Sequence, residues 1–291
     1  MAVREVTRIM PIHAQPPHGS AFKVGVCSWS LQPAGPHQLV ETLSGLDIAA
    51  CQLALVPIVE EARIWGDAAQ ILRDSGIEPV SGMLAMVGED YSTLDSIRRT
   101  GGVALHENWD RNLERAKSVA EAAADMRIPL VTLHAGFLPH DRTDRRRQVL
   151  IDRLAIIARL FRDRRVHVAL ETGQESADTL LEFLSLPALA AVGVNFDPAN
   201  MILYGMGDPV EALQRLAARV DQIHIKDATP SSRTGEWGTE TPVGEGAVDW
   251  PALFDVVKSL PRPVNLVIER EAGPDRTADI ARARDLIERF F

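Results

Sequence analysis

The feature that most constrains the fold is an alternation. Eight short runs rich in β-branched residues recur along the chain, each followed by a longer amphipathic stretch. The runs are KVGVCSW (23–29), AACQLALV (49–56), EPVSGML (78–84), LVTLHA (130–135), VHVALE (166–171), AVGVNFD (191–197), QIHIKD (222–227) and VNLVIE (264–269). Every gap between them can hold a helix and two loops. Strand and helix in alternation build a parallel sheet covered by helices. Eight such units predict an α/β chain folded as a single-domain (β/α)8 TIM barrel.

The intervening segments support that count. NLERAKSVAEAAADM and RRQVLIDRLAIIARLFRD carry apolar residues at i, i+3, i+4 and i+7 with charge on the opposite face, as helices packed on a barrel require. Asp208-Pro209 and Asp249-Trp250-Pro251 place a capping acid and an early proline where two further helices begin. AACQLALV and EPVSGML fit strands in this scheme, although each can also be read as part of a helix or loop. The sequence contains no internal repeat, low-complexity block or interdomain linker. The barrel is therefore expected over 23–291. Residues 1–22, with three prolines and two histidines in the first twenty positions and no periodicity, are expected to form a flexible tail.

Composition narrows the functional classes. With 40 acidic and 31 basic side chains the formal charge is −9, which opposes a role built on nucleic acid or anionic membrane. Two cysteines, Cys27 and Cys51, make neither a disulfide framework nor a cysteine metal site, and both fall in predicted strands as buried thiols. No apolar run approaches a signal-peptide core or a membrane span, so a cytoplasmic location is expected. Walker, dinucleotide-binding and Gly-x-Ser-x-Gly motifs are absent, which leaves nucleotide and serine-hydrolase chemistry without support.

The chemistry gathers at strand ends. In a barrel of this kind the C-terminal ends of the strands form one mouth, where side chains from several strands converge. The fifth strand closes with Glu171, the sixth with Asp197 and the eighth with Glu269, while the seventh carries His224. Three carboxylates and one imidazole suit one divalent cation such as Mn2+, Mg2+, Co2+ or Zn2+. Any one of these acids can equally be the N-cap of the following helix, and His224 can be a hydrogen-bonded core histidine. Flanked by Ile223 and Ile225, His224 points into the barrel, and Lys226 shares its face. Lys226 there meets either a substrate oxygen or a neighbouring acid. Asp227 points the other way, as a loop or cap residue.

His134 closes the fourth strand and Asn200 follows Asp197 by three residues, and both are candidates to touch substrate. Cys27, Trp29 and Gln52 lie near the ends of the first two strands, and Trp109 and Trp237 in longer loops; these aromatics either wall a sugar or pack in the core or a lid. The Gly-, Ser- and Thr-rich stretch ATPSSRTGEWGTETPVGEGAV after the seventh strand suggests a mobile rim, with Arg233 its single cation and a candidate substrate anchor.

The segments HAG (134–136), ALETG (169–173), NFDPAN (195–200), IHIKD (223–227), VGEGAVDW (243–250) and VIERE (267–271) resemble the sugar phosphate isomerase/epimerase superfamily, the xylose isomerase-like TIM barrels. Their order and spacing carry the resemblance over the chain beyond about residue 22. It implies that Glu171, Asp197, His224 and Glu269 bind one divalent metal. It also implies that Glu171 and Glu269 act as an acid/base pair on a ketose-type substrate, a sugar or polyol ketone, through a cis-enediolate. Two departures stand out: Asn200 replaces a histidine that many 3-epimerases of the family carry, and CQLAL lacks the glutamate common at the end of their second strand. Lys226 adds a cation that favours a keto-acid or keto-inositol over a neutral hexose. No phosphate cradle is visible, so a phosphate ester is disfavoured. Homo-oligomers are common among such barrels.

Three alternatives remain at the level of sequence. A metal-dependent dehydratase or lyase, on an inosose or dehydroshikimate-like ketone, shares the first proton abstraction. An abasic-site endonuclease needs a histidine-rich zinc cluster and a basic surface, which Asn200 and the charge oppose. A non-catalytic sugar-binding barrel would leave the four strand-end groups without a task.

Overall fold

In the computed structural model, which describes residues 22–139, 141–233 and 236–291, ten strands form. They are β1 (Val24–Cys27), β2 (Ala50–Ala54), β3 (Glu78–Met83), β4 (Leu130–Leu133), β5 (His167–Glu171), β6 (Gly193–Phe196), β7 (Val220–Ile225), β8 (Asp227–Thr229), β9 (Thr239–Thr241) and β10 (Asn265–Ile268). Eight of them close a parallel barrel in the order β1-β10-β7-β6-β5-β4-β3-β2, and β8 and β9 make a separate antiparallel pair. The (β/α)8 expectation holds at all eight positions, including the ambiguous β2 and β3. The expected tail lies outside the described residues except for Phe22, whose ring meets that of Phe291 at 4.6 Å between centroids.

Strand ends depart from the sequence pattern for local reasons. β1 stops at Cys27 because Ser28–Leu31 forms one helical turn, held by the Ser28 hydroxyl accepting the Ala54 N–H at 2.9 Å. That turn carries Trp29 over the mouth. β2 stops at Ala54, and the chain is helical over Leu55–Glu60. Here Leu55 is fully buried against Gly82 of β3, at a place where any Cβ on residue 82 would collide with it.

The two long predicted helices appear as His106–Asp125 and Arg145–Arg162, burying Ala116, Val119, Ala120 and Ala123 from the first and Leu150, Leu154, Ile157 and Phe161 from the second. Each fully buried large apolar side chain contributes about 1.5–3 kcal/mol. Asp208 and Asp249 cap helices as their positions predict, accepting from Val210 N–H and Ala252 N–H at 2.9 and 3.1 Å. Trp109, expected in a loop, lies instead in the His106–Asp125 helix, with the Arg153 guanidinium 4.7 Å from its ring centroid.

The segment after β7 is more ordered than its composition suggests. β8 and β9 fold its first part into a hairpin, and Asp227 ties down the 244–250 stretch beyond β9. The carboxylate of Asp227, 1% exposed, accepts from Gly244 N–H at 2.9 Å, Gly246 N–H at 3.2 Å, Val248 N–H at 3.2 Å and the Trp250 indole N–H at 2.9 Å. Such a carboxylate replaces its lost water with protein donors, so Asp227 is the anchor of the rim rather than a simple cap.

Candidate active site

Inside the barrel, beneath the mouth, each of five strands points one polar side chain inward: Gln52, Ser81, Thr132, Asn195 and Gln222, all fully buried. Their bonds fix every amide orientation. The Ser81 hydroxyl donates to Gln222 Oε1 at 2.6 Å, so Gln222 Nε2 must face the other way, donating to Gln52 Oε1 at 2.9 Å and Asn195 Oδ1 at 3.2 Å. Gln52 Nε2 donates to Thr132 Oγ1 at 2.7 Å. Gln52 Oε1 can only accept, and it lies 2.7 Å from His224 Nε2. The shorter contact favours the imidazole proton on Nε2, with Asn195 Nδ2, 3.1 Å from the same nitrogen, donating to Glu171 instead, and Nδ1 turns upward to the mouth.

Around Nδ1 stand three carboxylates: Glu269 Oε2 at 3.1 Å, Asp197 Oδ2 at 3.5 Å and Glu171 Oε1 at 3.6 Å. One donor atom from each of Glu171, Asp197, His224 and Glu269 lies within 4.8 Å of all the others, and all four residues are buried. Asp197 does cap the helix Pro198–Leu203, its Oδ1 accepting Asn200 N–H at 2.9 Å, but its Oδ2 has no hydrogen-bond partner, and neither has His224 Nδ1. Two orphaned buried atoms aimed into a cluster of three oxygens and one nitrogen are what a divalent cation would satisfy. The sequence-predicted ligand set thus meets at one point, and the donors fit the ion.

Electrostatics bind the cluster together. Burial pushes the Asp197 carboxyl up to about 6. For Glu171 burial is the largest influence and acts upward, yet His134 and His224 outweigh it and leave the group below the ordinary carboxylate range. Glu269 is likewise opposed by burial but held well below that range by Lys226 and His224. Burial drives His224 down, while the facing carboxylates raise it well above the usual histidine value. Cys27 lies 3.7 Å from His224 Nε2, and burial pushes its thiol far up, so it stays protonated and is a poor ligand.

The two glutamates are held from both sides. Glu269 Oε1 accepts the Trp29 indole N–H at 2.7 Å. Glu171 accepts from Asn200 Nδ2 at 2.9 Å and Asn195 Nδ2 at 3.3 Å, with His134 Nε2 at 3.8 Å. Lys226, 4% exposed, spends its charge on acids: Glu271 at 2.8 Å, Glu269 at 3.0 Å, and Asp197 and Glu240 at 4.0 Å. The acid pairs are formed, and Lys226 also lines the cavity above the cluster. Arg233 is not brought to this group; its guanidinium is 77% exposed and pairs with Glu236.

A cavity of about 490 Å³ opens above the cluster, lined by His134, Asn200 and Lys226 and walled by Trp29, Tyr204 and Trp237. Tyr204 and Trp237 stack at 5.1 Å between centroids. Sequence reasoning singles out neither Asn195, Tyr204, Glu240 nor Glu271. For Asn195 a signal existed, a polar residue between Val194 and Phe196 at an inward position.

Residues 49–290 match the family described as the xylose isomerase-like TIM barrel. The chain belongs to that family. A curated relative, the 3-dehydroshikimate dehydratase of Bacillus anthracis, is 24% identical over 254 residues, 81% of this chain and 87% of the relative. Among solved structures, the xylose isomerase domain protein of Planctomyces limnophilus superposes with a TM-score of 0.80 at 29% identity, covering 94% of this chain and 98% of that one. A D-allulose 3-epimerase from Methylomonas sp., in complex with D-allulose, superposes with a TM-score of 0.70 at 12% identity, covering 94% and 98%. The fold is thus shared with an epimerase, and the curated relative is a dehydratase. No helix among the described residues of this family member is long and apolar enough to cross a membrane.

Proposed function

We propose that the protein is a divalent-metal-dependent isomerase or epimerase acting on a ketose-type sugar or polyol ketone. Glu171, Asp197, His224 and Glu269 hold one Mn2+, Mg2+, Co2+ or Zn2+ ion. The observation that carries this reading is the pair of orphaned buried atoms, His224 Nδ1 and Asp197 Oδ2, facing the two glutamates. When bound, the ion polarises the substrate carbonyl and makes the adjacent C–H acidic.

The chain's own groups move the protons. Glu171 ends β5 and Glu269 follows β10, with β6 and β7 between them in the barrel, so the two carboxylates approach a substrate from different sides. One takes the proton from the carbon beside the carbonyl, and the other returns a proton. Return to the same carbon from the opposite face inverts it; return to the neighbouring carbon isomerises the sugar. Trp29, Asn195 and Asn200 hold the glutamates in place before substrate arrives, which lowers the reorganisation needed at the reacting centre. His134 lines the cavity beside Glu171, in reach of a substrate hydroxyl.

The dehydratase relative supports a second reading, in which the same proton abstraction is followed by loss of a β-hydroxyl. Incubation of the Mn2+-loaded protein with ketoses and inososes in heavy water tests both. The expected result is one solvent deuterium at the carbon beside the carbonyl, with Glu171→Gln and Glu269→Gln each slowing uptake by about 10²–10⁴-fold. A product of unchanged formula identifies the epimerase or isomerase, and a product lacking one water identifies the dehydratase. If none of these ketones takes up deuterium or loses water, the proposal is contradicted.

A further inference from the structure

The cavity is divided, and the division points to the kind of molecule that fills it. The barrel order sets β2 and β3 across the mouth from β6 and β7. The β6, β7 and β10 side carries Asn200, Lys226 and Glu269. The facing side carries Ala54, Val56 and Pro57 after β2, and Met83 and Ala85 at the end of β3. All five of these apolar residues are half-buried, with the cavity beside them.

Charge on the lining is equally one-sided. Five glutamates line the cavity, Glu89, Glu171, Glu240, Glu269 and Glu271, and among the described residues Lys226 is the one lysine or arginine there. The Lys226 ammonium is already shared among four carboxylates. Glu89 gives its oxygens to the Met86 and Gly102 N–H groups at 3.0 and 2.8 Å, and Glu240 takes the Arg270 guanidinium at 2.8 Å, so neither frees a cation for a ligand. Away from the strand-end group that would hold the ion, a carboxylate or phosphate on the substrate would meet Glu89, Glu240 and Glu271 with no unpaired cation beside it among the described residues, and such like-charge contacts cost several kcal/mol.

We infer that the substrate is uncharged and two-ended. A hydroxy-ketone end reaches the glutamates, and an apolar portion, a second ring or aryl substituent, lies on the Ala54–Pro57 and Met83–Ala85 wall. The cavity volume leaves room for it beyond a single sugar ring. This inference rests on the proton-transfer reading above, and it sets aside the keto-acid that the presence of Lys226 suggests in the sequence.

The test compares deuterium uptake from heavy water by the Mn2+-loaded protein into four ketones: a phenyl glycoside bearing a ring ketone, D-allulose, D-allulose 6-phosphate and 3-dehydroshikimate. The expected kcat/KM is at least about tenfold higher for the phenyl compound than for D-allulose, the scale of apolar contacts in a pocket. For the two anions it is at least about 100-fold lower than for D-allulose. Fastest uptake into either anion, or a phenyl compound no better than D-allulose, overturns the inference and leaves the proton-transfer reading intact. No uptake into any of the four, together with no loss of water from 3-dehydroshikimate, overturns both.

Discussion

Gln52 Oε1 accepts the Nε2–H of His224 at 2.7 Å, and this contact decides which imidazole nitrogen faces the three carboxylates. The amide cannot present its NH2 group instead, because Thr132 and Gln222 fix its orientation. A ligating histidine gains both orientation and basicity from such a partner, and losing one typically costs 10–100-fold in metal affinity. Gln52→Leu should therefore weaken Mn2+ binding by about 10–100-fold while Gln52→Glu, which still accepts the proton, retains most of it. Mn2+ titration followed by electron paramagnetic resonance makes the comparison; equal affinity in Gln52→Leu and the parent contradicts the role.

Glu175 predicts a pH effect on stability. Its side chain is buried, and burial pushes its carboxyl up to about 8 from 4.5. Between those values the folded chain keeps a proton that the unfolded chain releases, so this group removes stability as pH rises from about 4.5 to 8 and adds no further slope beyond. Glu175→Gln eliminates that loss. Its Tm advantage over the parent should be small at pH 5 and grow to pH 8.5, and calorimetric Tm values that run parallel across this range rule it out.

Asp227 holds the rim through four donors within the 244–250 stretch. Asp227→Ala strands them and should destabilise the fold by about 2–4 kcal/mol, given ~1–3 kcal/mol for a buried donor left unmade. Amide hydrogen exchange should quicken at Gly244, Gly246 and Val248 while the β5 and β6 amides stay protected. Unchanged exchange at these three positions contradicts an anchoring role.

The sequence makes the barrel and the meeting of Glu171, Asp197, His224 and Glu269 legible for one reason: strand alternation and strand-end position are local properties. Ile223 and Ile225 are enough to turn His224 inward. What the sequence hides depends on distance. Lys226 finds Glu240 on β9 and Glu271 beyond β10, so its charge balance needs the closed barrel. Trp29 reaches Glu269 only because Ser28–Leu31 abandons the strand for a helical turn. The order of the rim after β7 comes from one carboxylate, which composition rich in Gly, Ser and Thr obscures. Arg233, prominent as a lone cation in sequence, simply stays in solvent with Glu236.

The proposed chemistry depends on four strand-end groups holding one divalent ion. Elemental mass spectrometry of the purified protein, after exposure to Mn2+ and removal of excess, measures it directly beside a Glu171→Gln/His224→Ala double variant. About one equivalent of metal per chain is expected in the parent and close to none in the variant. Equal metal in both, or none in the parent after reconstitution, contradicts it.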